Sequence, residues 1–214
     1  MRRCLPILST TVLVLLGSWS CAQEVLDRIV ARVENDVILQ SDMSDLGHYQ
    51  ILMDGKAESD AKILDLLIDE WIVRNEATVS RIAQPTEDDV DRSIARLKRS
   101  FSSPEEFEER RKQSGLSDDA LRRLTRSQIY LSNYLDTRFR ASIQVEEKDI
   151  EDFYRTRVVP RAESRGQTPP TLEAAHDFIQ EALVQRAINE QSEKWLKESR
   201  ARIHVDILLG EGQK

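Results

Sequence analysis

No cysteine follows residue 21 of this 214-residue chain. A thiol nucleophile and a disulfide are therefore excluded from everything after the first residues, and the core must hold without a covalent staple. Glycine and proline are scarce, at seven and six, which favours long helices. The three histidines, His48, His176 and His204, are scattered and form no HxxH or HExxH spacing, so a metal site would need carboxylates brought from a distance. There is no GxxxxGK[ST], no GxGxxG and no GxSxG, so no nucleotide cofactor and no nucleophile elbow is expected. The formal charge is −7 and becomes −9 without Arg2 and Arg3, which argues against nucleic acid as a partner. Acids and bases are mixed at close range, the pattern of solvated helix faces.

What is present begins with a leader. Arg2 and Arg3 precede an apolar stretch from Leu5 to Leu16, and small residues follow at Gly17, Ser18, Ser20 and Ala22. The apolar run is shorter than the roughly 20 residues a spanning helix needs. Residues 1–22 therefore read as a secretory signal peptide cleaved after Ala22, which marks the chain for export. The alternative is a lipid anchor at Cys21, and a retained leader would keep the chain on the membrane.

Leu26–Val33 and Val37–Leu39 read as two strands around a Glu34-Asn35-Asp36 turn, with Ile29, Ala31 and Val33 on one face. Ser41 is the expected cap of a first helix running to about Met53. Ser59–Ile82 carries apolar residues on most sides, as a central core helix does. Thr86 with Asp89 caps the next helix, to about Arg99. Ser103-Pro104 starts another, which stops at Ser114-Gly115. Ser117 opens a long helix to about Ala141, with Leu121, Leu124, Gln128, Leu131, Leu135 and Arg138 at its three-to-four spacing. Glu146–Arg157 is a short helix, and the non-periodic "VVPRAESRGQTPP" at 158–170 reads as a linker. Thr171 caps the last helix, to about Ala201, and "IHVDIL" from Ile203 alternates as a strand. A two-stranded hairpin alone is marginal in water, so this last strand is expected to complete the sheet and tie the termini together. The fold class is mainly α: a multi-helix domain with a small antiparallel sheet formed by an N-terminal hairpin and the C-terminal strand.

Few residues suggest a site. "EEFEERR" at Glu105–Arg111 could pair carboxylates for acid–base work, but Glu105/Glu109 and Glu106/Arg110 are i,i+4 neighbours of an exposed helix face. Met43, Leu46, Tyr49 and Met53 share one side of the first helix, and methionines adapt to varied apolar partners. With Trp71, Phe101 and Phe107 they are the candidates for binding an apolar partner, against the competing reading that they pack the core. Trp195 stands under the same two readings.

"DRIVARVENDVILQSDM" (Asp27–Met43) resembles the opening of the SurA-type periplasmic chaperones, through Asp27, Ile29, Ala31, Val33, Asn35, Ile38, Ser41 and Asp42. "ILDLLIDEWIVRNEA" (63–77) resembles that family's core helix. "TEDDVDRSIARL" (86–97) and "VEEKDIEDFYRTR" (145–157) resemble two further helices, and "EALVQRAINEQSEKWLKESRARIHVDIL" resembles its terminal helix and strand. The resemblance implies a SurA N-terminal-like chaperone domain over 23–157 and a 171–209 segment packing back on it. In that family a parvulin prolyl-isomerase domain usually separates the two, and here only 158–170 occupies its place. What is implied is therefore a holding chaperone without catalysis, cofactor or metal. It would bind unfolded outer-membrane or periplasmic proteins, with no nucleic acid as partner, and use no ATP. A transient contact with outer-membrane assembly machinery and a homodimer stay open. The rival readings are a dedicated assembly or scaffold subunit of an envelope complex and, against the absent parvulin domain, a prolyl isomerase.

Overall fold

The computed structural model describes residues 27–210, so the leader, both cysteines and the start of the first strand at Leu26 lie outside the described residues. Strands β1 (Ile29–Val33) and β2 (Asp36–Leu39) form the hairpin, and β3 (Val205–Ile207) pairs antiparallel with the other edge of β1. The sheet order is β2-β1-β3, and the rest of the chain is mainly α-helix, as the sequence implied. The turn is tighter than expected, because Asp36 belongs to β2 and Glu34 takes the left-handed conformation at φ 53°. Strict alternation in β1 also gives way. A bulge between Ile29 and Ala31 lets Val30, Ala31 and Val33 all be buried.

Helix α1 (Gln40–Asp54) starts one residue before the expected Ser41 cap. The Asp42 carboxylate accepts from Leu39 N–H at 2.9 Å, and the Asp27 carboxylate accepts from Ser41 N–H at 3.2 Å. Two carboxylates thus satisfy backbone donors where the helix starts, and Ser41 lies inside the first turn and does not cap it. The caps of α2 (Asp60–Val79), α3 (Glu87–Lys98), α4 (Pro104–Ser114), α5 (Asp118–Phe139) and α8 (Leu172–Arg200) are Ser59, Thr86, Ser103, Ser117 and Thr171, each accepting a backbone N–H three residues on. Thr86 and Asp89 form the reciprocal box.

The segment between α5 and α8 departs from expectation. A 3-10 turn (Arg140–Ser142) leads to α6 (Glu147–Phe153), a π-helical turn (Tyr154–Val158) and α7 (Val159–Glu163). Residues 158–163, expected as linker, are helical. Pro160 brings no N–H, and its ring crowds the carbonyl four residues back. The chain absorbs it by widening one turn, with Val159 N–H bonding Tyr154 C=O. Only the stretch after Glu163 is a loop, and the Tyr154 hydroxyl donates to Pro170 C=O at 2.7 Å to hold it.

Three apolar clusters result. The largest joins the sheet to Met43, the buried face of α2, Tyr130 and Tyr134 of α5, and Trp195 of α8. Trp71 donates its indole N–H to Asp36 at 2.7 Å, which fixes α2 against the hairpin. The second joins Leu52, Phe107, Leu116, Ala120 and Leu121. The third joins Ile150 of α6 to Ala175 and Ile179 of α8. Phe107 is fully buried, so Phe107→Ala should lower unfolding free energy by about 3–5 kcal/mol, read from urea denaturation.

Candidate functional site

The seven candidate residues do not form one surface. Met43, Trp71 and Phe107 are buried and belong to the packing, so as partner-facing residues they are corrected. Leu46 is half-buried against the main core, and Tyr49 and Phe101 against the second. Phe101 stands edge-on to Phe107, with ring centroids 5.2 Å apart. Met53, at the end of α1, is the one left substantially open, at 37% exposure. The stripe on α1 is apolar because α2, α4 and α5 cover it. The carboxylates of 105–111 likewise serve structure: Glu106 pairs with Arg110 at 3.2 Å and accepts from Ser102 N–H.

Helix α8 carries a feature that the candidate set missed. In its first half Ala175 and Ile179 are buried against α6; in its second half Ile188, Ser192, Trp195 and Ser199 are buried, with Trp195 in the main core beside α2 and α5. Ile179 and Ile188 are nine residues apart, about two and a half turns, so the two buried faces lie on opposite sides of one helix. The body-facing stripe can be followed backwards at alternating steps of four and three: Ser199, Trp195, Ser192, Ile188, Gln185, Glu181, Phe178. Gln185 and Glu181 meet Asp136 and Arg140 at the end of α5. Phe178 is the next position, past the end of α5, and it is 73% exposed. An aromatic ring continues a packing stripe where the body no longer supplies a cover. The sequence signal was available in the three-four spacing, but it could not show where α5 stops.

The joint below Phe178 is electrostatic. The Arg140 guanidinium makes paired bonds to Glu181, at 2.7 and 2.9 Å, and reaches Asp136 at 2.7 Å. Arg140 beside Glu181 holds that carboxyl down at about 2, and the two carboxylates push the guanidinium up. Ser142 reaches Gln191 across the same joint. Further along, His176 bonds Asp177 and Glu147, each at 3.2 Å, and both carboxylates raise its pKa.

Two of the cavities border α2. One, of about 180 Å³, lies among α1, α2, α5 and β2, and its charges are paired, Arg123 to Asp45 at 2.7 Å and the Ser127 hydroxyl to Glu70. The other, of about 370 Å³, lies between α2, α5 and the end of α8. Among the described residues no group of three or more His, Cys, Asp or Glu could hold a metal ion, and no helix is long and apolar enough to cross a membrane. No family model matches this chain, and no curated protein matches it.

The joint gives a pH dependence of definite sign. Glu181 has a folded pKa depressed below its ordinary 4.5, so its contribution is present above pH 4.5 and lost as pH falls towards 2. His176 has the opposite sign. Its contribution is present below its ordinary 6.5 and is lost as pH rises through the raised folded value. Arg140→Gln should return the Glu181 titration towards 4.5 by NMR and speed amide exchange in residues 140–146.

Proposed function

We propose that the chain is an ATP-independent holding chaperone of SurA type for exported proteins, working without catalysis in the periplasm. The observation that carries this reading is the uncovered continuation of the α8 stripe, with Phe178 exposed beside a body that the rest of the stripe grips. A bare apolar ring on a long helix can hold an unfolded segment while doing no chemistry. Binding then lowers the concentration of free aggregation-prone chain by mass action. Outer-membrane β-barrel precursors suit such a surface, because their strands alternate apolar and polar residues and are exposed before insertion.

The matched residues also have physical work in the fold that supports the family reading. Ala31, Val33 and Ile38 are buried in the sheet, and Asp27 and Asp42 bond the backbone where β2 turns into α1. The place where the family carries its parvulin domain is taken here by the π turn, α7 and the loop to α8. The rival scaffold reading requires a single dedicated partner on the same surface.

The test is light scattering of a urea-diluted outer-membrane β-barrel with and without the protein. The wild-type protein should suppress scattering in proportion to its concentration. Phe178→Ser should weaken client affinity about tenfold, since an aromatic contact of this kind contributes about 1.5 kcal/mol, while the urea midpoint stays unchanged. Absence of suppression by wild type at severalfold excess would sink the chaperone reading, and a pull-down returning one stoichiometric protein would favour the scaffold.

A further inference from the structure

The second body cavity gathers hydrogen-bond donors that the fold itself leaves uncommitted. Its walls include Trp71, Asn75 and Glu76 of α2, Arg138 of α5, Trp195 of α8, and Arg202 beyond α8. Arg138 is fixed in place. Its guanidinium lies 4.7 Å from the Trp195 ring centroid and 5.5 Å from that of Phe139, and it donates to the Tyr134 hydroxyl at 2.9 Å. That bond uses one of five guanidinium N–H groups. Arg202 donates to the Ser199 hydroxyl at 3.1 Å. Among the described residues neither arginine has a carboxylate within ion-pair distance, although arginines elsewhere on the same helices do, as Arg140 and Arg200 show.

Trp71 and Trp195 line the same cavity, and Trp71 is held there by the bond from its indole N–H to Asp36 at 2.7 Å. Two guanidiniums against the single carboxylate of Glu76 leave the cavity with a net positive charge. Its volume of about 370 Å³ lies within the range of small-molecule sites.

We infer that the cavity between α2, α5 and the end of α8 binds a carboxylate carried on an aromatic body, the carboxylate meeting Arg138 and Arg202 and the ring lying against the tryptophans. The shared chemistry is an aryl carboxylate, whether it comes from a small free acid or from the last residue of a peptide chain. A planar guanidinium can meet both carboxylate oxygens at once. The site is separate from Phe178 and stands or falls independently of client holding.

Trp71 and Trp195 both line the cavity, so tryptophan fluorescence of the full chain reads it directly. Three probes are titrated: N-acetylphenylalanine, 3-phenylpropionate and the neutral N-acetylphenylalanine amide. Both acids should change the emission saturably, and the amide should not. Tighter binding of N-acetylphenylalanine would assign the chain-end source, and equal or tighter binding of 3-phenylpropionate the free acid. Arg202→Gln, at an exposed position outside the core, should weaken the acids about tenfold, the loss of one charge-assisted hydrogen bond. Arg138→Gln should weaken them as much, with circular dichroism checking that its fold is intact. Equal responses to acid and amide, or an Arg202→Gln titration matching wild type, would overturn the inference.

Discussion

Strand β1 can be buried only because the strand that follows α8 pairs with its free edge. Glu34 N–H donates to His204 C=O at 3.0 Å, His204 N–H donates to the Glu34 carboxylate at 2.7 Å, and Leu208 N–H donates to Val30 C=O at 2.9 Å. These bonds occupy the edge of β1 that the hairpin leaves unpaired. With Val30, Ala31 and Val33 buried, an unpaired edge there would leave backbone donors and acceptors without water or partner. The third strand therefore permits the sheet to serve as a floor for α2. Trp71 adds a bond from that helix to Asp36 of β2. Arg200 extends the same tie from the end of α8 to Asp65 and Asp69 of α2.

From this floor the helices divide their duties. α2 is covered by α1, α5 and α8 and contributes most of the main core. α3 is held to α5 by an exposed fan of ion pairs, in which Arg122 and Arg126 share Glu87 and Arg122 also takes Asp91. Such pairs contribute little each in solvent, so Val90 and the half-buried Ile94 and Leu97 do more to seat α3. α1 and α5 join the main core to the second cluster, and α8 joins the main core to the third through opposite sides of one helix. Its stiffness couples them, and the joint at Arg140 sits where one packing hands over to the other.

Much of this was legible in the sequence because it rests on local chemistry. Thr86 with Asp89, Ser103 with Pro104, and Thr171 act on backbone groups three residues away, within any reading window. The small sheet followed from the instability of a lone hairpin. The start of α1 was not legible, because Asp27 acts on it from fourteen residues upstream. Nor was the helix through Pro160, since a proline ends a helix unless a wider turn accommodates it. The site was harder still. Met43 and Phe178 obey similar periodic rules, yet one is covered and the other bare. The difference lies in where neighbouring helices end, which is a tertiary fact. The cavity of Trp71 and Trp195 was hidden for a similar reason, as its walls come from residues more than a hundred positions apart.

The meeting of Val30 with Leu208 also has a kinetic side. It is a contact of very high sequence separation, and contacts of that kind are slow to form because a long loop must be closed first. A chain delivered from its N-terminus, whether from a ribosome or through a translocation pore, holds the hairpin from the outset but lacks its third strand until nearly everything else has emerged. During that interval the edge of β1 and the apolar face of α2 lack part of their final cover, the condition under which unfinished chains associate. The helices, whose caps are local, can form meanwhile. Completion of the protein is thus timed by its last strand.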